Sequence, residues 1–340
     1  MATASIRDST ISRRLVTVPS VLVAAGILLP LSVVILPVSA VLDLLRGRHR
    51  LPTTRVLAFG YSYLVWEVIA VVTAVVLWVA SGFGLALRTR LFQEAHRHVQ
   101  VVWAASHMAA LKSTCGLELD VTGMENLPPG PVILLSRHAS IIDTLIPIQL
   151  TAAAQLGCRY VLKNELLWDP ALDIIGHRFP NYFVDRSGGN SVSAVDKVAA
   201  LAAGTRPSEA FVIFPEGSRF APAKRERALE KLRGNNPVLA ERAEKLTHTM
   251  PPRTGGPVAA LRARPAGADI VVLSHTGLEG LAGPRELLRA VPFREPIRID
   301  LRRFSGSDIP DDDDGRLSWL YDRWDEVNTW VGDHQTTSEI

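Results

Sequence analysis

Cysteine is nearly absent: the 340 residues include two, Cys115 and Cys158. Two isolated thiols cannot staple a disulfide scaffold, and no Cys-x-x-Cys pair or Cys/His cluster outlines a structural zinc site. Charge is scarce too, at 21% of residues against 47% hydrophobic ones. That balance excludes an intrinsically disordered chain. Internal repeats and long linkers are missing after residue 88. So is a Gly-x-Ser-x-Gly elbow, and neither cysteine sits beside a plausible base. The length allows one large domain or two small ones, with ample chain for a buried core.

The charge that is present is uneven. The net charge is +3, yet residues 307–340 hold ten acidic and two basic side chains, leaving 35 basic against 24 acidic in the rest. A body of that sign attracts phosphate-bearing partners. Nucleic acid is not among those expected, because the basic residues are scattered, without a recognition-helix or stacking-aromatic pattern. The acidic tail is a solvated surface.

The apolar excess is concentrated at the N-terminus. Leu15 to Leu42 is 28 residues without a charge, and Val56 to Leu87 is 32 residues broken only by Glu67. A membrane-crossing helix needs about 20 apolar residues, so both runs predict membrane helices, at about 15–42 and 56–87. The first run is too long for a cleaved signal peptide, and a second follows at once. Arg7, Arg13 and Arg14 precede the pair, Arg46, Arg48, Arg50 and Arg55 join it, and Arg88, Arg90 and Arg97 follow it. Positive charge at every end leaves two arrangements. Either both runs cross the bilayer, with N-terminus and body in the cytosol, or they dip together into one leaflet. Glu67 is either a functional membrane carboxylate or a paired structural one.

The remaining chain predicts an α/β domain. Residues 91–117 have an amphipathic helical pattern. Short, continuous apolar runs follow at 131–135, 160–162, 211–214 and 270–273, as expected of strands covered on both faces. Helical stretches near 141–150, 192–203 and 227–246 alternate with them. The result is a mostly parallel sheet flanked by helices. A final helix over 317–331 carries Trp319, Trp324 and Trp330, which suit packing.

Four segments carry polar residues at telling places. In Val132-Ile-Leu-Leu-Ser-Arg-His138-Ala-Ser-Ile-Ile-Asp143, a buried strand runs into His138, and Ser140 to Asp143 fits a capping box. Positions five apart on one helix differ by about 140° and cannot meet. With His138 before the cap and Asp143 in the first turn, the two converge, and the aspartate orients the imidazole as a general base. The bland alternative is a surface pair. In Phe211-Val-Ile-Phe-Pro-Glu216-Gly217-Ser218-Arg219-Phe, a second strand ends in a tight turn that presents backbone N–H groups and a guanidinium suited to phosphate. An ordinary turn with a surface ion pair fits equally. Asn181-Tyr-Phe-Val-Asp185-Arg186 and His248-Thr-Met-Pro-Pro252-Arg253-Thr254-Gly255 say little alone. The other histidines, His275 among them, lack a partner at a telling spacing.

Taken together, Val121-Thr-Gly-Met-Glu-Asn-Leu127, the His138/Asp143 pair, Lys163-Asn-Glu-Leu166, Phe183-Val-Asp-Arg186 and Phe214-Pro-Glu-Gly-Ser-Arg219 resemble the glycerophospholipid acyltransferases. The stretch from Phe214 through Leu246-Thr-His248 to Pro252-Arg-Thr-Gly-Gly256 is most similar to the eukaryotic-type lysophosphatidate and lysophospholipid branch. The resemblance covers roughly residues 90–335. It implies a catalytic domain at 91–340 behind a membrane-anchoring segment at 1–90, with the catalytic domain on the cytoplasmic side. It further implies direct acyl transfer, without an acyl-enzyme, from acyl-CoA or acyl-carrier protein to a lysophospholipid hydroxyl. His138 would be the base and Asp143 its orienting partner. Arg186, Glu216, Gly217, Ser218, Arg219 and Arg253 would bind substrate, Glu216 either by ordering its loop or by holding glycerol hydroxyls. No metal or other cofactor is called for. Partners would be the two substrates and membrane lipids. Two positions depart from the family pattern: Arg137 replaces the usual asparagine and Ser218 the frequent threonine. Serine keeps the hydroxyl. Arg137 sets a cation beside the base, which bears on acceptor preference. Another acceptor, such as lysophosphatidylinositol, a lysocardiolipin-like lipid or glycerol 3-phosphate, is the nearest alternative. A non-catalytic lipid-binding protein is the alternative of a different class.

Overall fold

In the computed structural model of the chain, which describes residues 10–184, 192–281 and 284–335, the two apolar runs fold as the helices α1 (Thr10–Leu45) and α2 (Pro52–Ala80). With 36 and 29 residues, both are long and apolar enough to cross a membrane. α1 runs unbroken through Pro19, Pro30 and Pro37. α2 is shorter than the sequence predicts and stops at Ala80. The Ser81 hydroxyl accepts from Gly84 N at 3.1 Å. Gly82, Phe83 and Gly84 all have positive φ, and a right-handed helix cannot continue through such residues.

The chain forms two compact units. The first comprises Met1–Leu117, Leu162–Asn181 and Leu287–Arg294, and the second Glu118–Val161, Tyr182–Glu286 and Glu295–Ile340. In the first unit, α2 packs on α1, on α3 (Arg90–Ala110) and on the short helix Pro170–Gly176. Small residues of α2, Ala70, Val71 and Ala74, let Ala171, Ile174 and Ile175 approach closely. Glu67 is buried in the same unit. It accepts from Trp103 Nε1 at 2.9 Å and Ala171 N at 3.3 Å, so hydrogen bonds within the unit satisfy it. An unpaired polar group buried there would be expensive.

The second unit holds a seven-stranded sheet, with β1 (Leu119–Thr122), β2 (Val132–Ser136), β3 (Gly157–Lys163), β4 (Tyr182–Val184), β5 (Glu209–Ile213), β6 (Asp269–Thr276) and β7 (Ile297–Phe304). Their order is β1-β7-β6-β2-β5-β3-β4. β2 runs parallel to β5 and β6, β3 to β5, and β1 to β7, while β6 and β7 are antiparallel. The mostly parallel α/β sheet is therefore present as expected. Its central strands are the four apolar runs. Ile133, Leu135, Phe211, Ile213, Ile270 and Val272 face one core with Trp319, Leu320 and Trp324 of the C-terminal helix Asp313–His334. The intervening Val132, Leu134, Val212 and Val271 are buried on the opposite face. With both faces covered, nothing forces a polar–apolar alternation.

β1, β4 and β7 are not foreseen from the sequence. β1 and β7 alternate in burial, and β7 carries Arg298, Asp300, Arg302 and Arg303 among its apolar residues. The central order β6-β2-β5 has a direct consequence. Three parallel strands end side by side, so the segments after Ser136, Ile213 and Thr276 emerge at one edge of the sheet. In open α/β sheets that carboxyl edge is where ligands bind.

Candidate active site

β2 delivers the first group. Arg137 N extends the ladder to Leu273 O at 3.0 Å, and the chain then turns away with His138 at its corner. His138 Nδ1 and Asp143 Oδ1 lie 2.9 Å apart. Asp143 turns back on the loop, and its Oδ2 accepts from Ala139 N at 2.6 Å and Ser140 N at 2.7 Å. Ser140 Oγ accepts from Ile142 N at 3.4 Å. Of the capping box expected over Ser140 to Asp143, the carboxylate half is made, while Ser140 Oγ meets Ile142 N and not Asp143 N, and the segment that follows is a 3-10 turn, Ile142–Thr144. The regular helix begins only at Ile146. Asp143 is fully buried, which by itself raises a carboxyl. Hydrogen bonds from His138 and His275 outweigh that and hold it well below the usual carboxylate range. Because Nδ1 is committed to the aspartate, Nε2 is the nitrogen left to meet a ligand, and among the described residues it has no hydrogen-bond partner. The ring lies 4.6 Å from that of Phe214, centroid to centroid.

β5 delivers the second group. Gly217 N donates to Phe214 O at 2.9 Å, closing a tight turn. Gly217 has φ +63°, and a Cβ there would fall 2.2 Å from Arg253 Nε. Glycine thus allows both the turn and the seat of the Arg253 guanidinium. Arg253 N donates to Pro215 O at 2.9 Å, and Phe220 N to His138 O at 3.0 Å, which ties the three loops together. Ser218 is mostly buried in the same turn. Arg219 is half-buried and makes no hydrogen bond or ion pair with another described residue. Of the predicted substrate-binding residues, Arg186 lies outside the described ones.

Of the two roles expected for Glu216, the geometry builds loop ordering. Its Oε1 accepts from His138 N at 2.9 Å and its Oε2 from Met250 N at 3.1 Å. The side chain is 2% exposed. Burial pushes its carboxyl up to about 8, against the pull of Arg137 and the two N–H groups.

Arg137 does not act on substrate from beside the base, as the sequence suggested. It points inward and is wholly buried. Nη1 donates to His275 O at 2.6 Å and pairs with Glu279, and Nη2 donates to His248 O at 2.9 Å. The acceptors come from β6 and the 248–255 loop, distant in sequence, so no local pattern announces this direction. The sequence also passed over His275. Its Nε2 lies 3.1 Å from Arg137 O and 3.5 Å from Asp143 Oδ2, brought there by strand pairing and not by any sequence spacing.

The chain is similar to known acyltransferases. Residues 118–275 match the family model described as Acyltransferase. An uncharacterised acyltransferase of Schizosaccharomyces pombe is 24% identical over 232 residues, covering 63% of this chain and 63% of the relative. A 1-acyl-sn-glycerol-3-phosphate acyltransferase of Saccharomyces cerevisiae is 30% identical over 121 residues, covering 35% and 38%. The chain therefore spans less than two thirds of either relative. The crystal structure of the 1-acyl-sn-glycerophosphate (LPA) acyltransferase PlsC from Thermotoga maritima shares the fold, with a TM-score of 0.52 at 14% identity over 82% of this chain and 97% of that one. The matched segment begins just ahead of β1 and ends within β6 at His275, so the part of the chain that is similar to the Acyltransferase family takes in the His138/Asp143 loop and the Glu216 turn.

Proposed function

We propose that this protein is a membrane-bound O-acyltransferase that moves a fatty acyl group from an acyl thioester to the free hydroxyl of a lysophospholipid. The acceptor we assign is 1-acylglycerol 3-phosphate, giving phosphatidic acid, with acyl-CoA as donor. The observation that carries the reading is the 2.9 Å contact between His138 Nδ1 and Asp143 Oδ1, which leaves Nε2 free of the aspartate. A base is of no use to a protein that only binds lipid.

In this reading the acceptor hydroxyl oxygen attacks the thioester carbonyl carbon. The C–O bond forms, the C–S bond breaks, and His138 Nε2 takes the hydroxyl proton and returns it to the departing thiolate. Asp143 remains ionised, orients the ring and stabilises the imidazolium. Arg219 and Arg253 hold the acceptor phosphate, and Arg186 is assigned the same task. α1 and α2 keep the chain in the bilayer that supplies the acceptor, and residues 91–340, on the cytoplasmic side, carry the chemistry. No cofactor takes part beyond the acyl donor.

The purified protein in detergent, given labelled acyl-CoA and a panel of lysolipids, is expected to acylate lysophosphatidate fastest. His138→Ala is expected to lower turnover by about 10²–10⁴-fold, the usual worth of a general base, while the protein still folds. Wild-type turnover in that variant ends the proposal.

A further inference from the structure

We infer that His275 is a positioning residue for the same reaction, holding Asp143 from the side opposite His138 to form a His138–Asp143–His275 chain. This rests on the acyl-transfer reading and adds to it a third side chain, far from the other two in sequence.

His275 sits near the end of β6 with no exposed surface. Its Nε2 faces two acceptors, Arg137 O at 3.1 Å and Asp143 Oδ2 at 3.5 Å. Two oxygens on one nitrogen require that nitrogen to carry the proton. Nδ1 has no partner among the described residues, so Nε2 is the atom that holds the ring in place. The backbone locks the arrangement, because Arg137 Nη1 donates to His275 O at 2.6 Å. Arg137 thus receives the ring through its carbonyl and grips the residue through its guanidinium.

The effect on Asp143 follows from a count of its donors. Oδ2 faces Ala139 N, Ser140 N and His275 Nε2, while Oδ1 faces His138 alone. Two backbone N–H bonds hold Oδ2, and His275 Nε2, 3.5 Å away, adds its positive edge on the same side, which opposes rotation of the carboxylate. Its other oxygen stays aimed at His138 Nδ1, and His138 stays in the tautomer that leaves Nε2 open. The charged and titratable groups around His275 are Arg137, Glu279, Asp143 and, beyond it, His138, with Glu216 acting on Arg137 and Asp143. β7 sets the uncharged Ile299 opposite His275.

The test uses His275→Gln, whose amide nitrogen reaches the Nε2 position, and His275→Asn, whose amide nitrogen falls short of it. His275→Asn is expected to lower kcat by roughly 10–100-fold, the range for losing an outer partner of a working group, with KM for both substrates unchanged. His275→Gln is expected to recover most of that loss. In His275→Asn the acid limb of kcat/KM moves to higher pH, because Asp143 with one donor fewer becomes more basic and holds a proton on His138 more firmly. Equal activity in the two variants, or equal loss with unshifted pH limbs, overturns the inference. His138→Ala measured alongside separates the outcomes. An inactive His138→Ala beside a fully active His275→Asn removes only the role of His275, whereas an active His138→Ala removes the acyl-transfer reading itself.

Discussion

Glu216 holds His138 by its backbone, not by its ring: Oε1 accepts from His138 N at 2.9 Å while Oε2 accepts from Met250 N at 3.1 Å. One carboxyl group therefore joins the loop after β2 to the loop carrying Arg253. Glutamine can accept on one side only and turns its NH₂ toward the other N–H. Glu216→Gln is expected to lose about 1–3 kcal/mol, the penalty for a buried group left without a partner. Thermal unfolding in detergent measures it, and an unchanged midpoint contradicts the bracing role.

Asp143 and Glu216 impose opposite pH dependences. Asp143 is held below its ordinary 3.8, so its contribution to stability is present above that pH and is lost as the pH falls toward the lower, folded value. Glu216 is raised from 4.5 to about 8, so the folded protein binds the extra proton. Its contribution is present below pH 4.5 and is lost as the pH rises through about 8. Unfolding midpoints measured from about pH 3 to about pH 9 are expected to lose their acid slope in Asp143→Asn and their alkaline slope in Glu216→Gln.

Arg137→Asn introduces the residue usual in the acyltransferases that this chain resembles. The guanidinium it removes bonds to His275 O, His248 O and Glu279. Glu279 is 22% exposed at its side chain and can regain water, so the expected loss is about 1–3 kcal/mol, short of that for a fully buried pair. Because the side chain points inward, the ranking of lysolipid acceptors is expected to stay the same. A changed ranking with unchanged stability would show that Arg137 reaches the substrate after all.

Gly217→Ala tests the seat of Arg253. Its φ of +63° strains any Cβ, which here would also meet Arg253 Nε at 2.2 Å. The left-handed backbone costs about 1–2 kcal/mol, and the displaced guanidinium is expected to raise KM for phosphate-bearing acceptors about tenfold, equivalent to about 1.4 kcal/mol. Adding Arg253→Ala is expected to raise it no further, since the two changes act on one contact. Additive effects in the double variant speak against the shared seat.

Much of this protein is written in consecutive residues. The runs 131–135, 160–162, 211–214 and 270–273 mark the central strands because a strand covered on both faces must be apolar throughout. α1 and α2 announce themselves by length and hydropathy, and His138 and the Pro215-Glu216-Gly217 turn stand at strand ends that the sequence already places. β1 and β7 escaped because strands that bury one face alternate and carry charge. The end of α2 at Ala80 escaped because apolar composition continues past the point where Gly82 and Gly84 halt the helix. The directions of polar side chains escaped for a different reason. Arg137 turns inward because β6 and the 248–255 loop bring carbonyl oxygens to it, and His275 meets Asp143 because β6 pairs with β2. Burial pattern is a property of neighbours along the chain. A hydrogen bond needs its acceptor within about 3 Å, and only the folded sheet determines which distant oxygen that is.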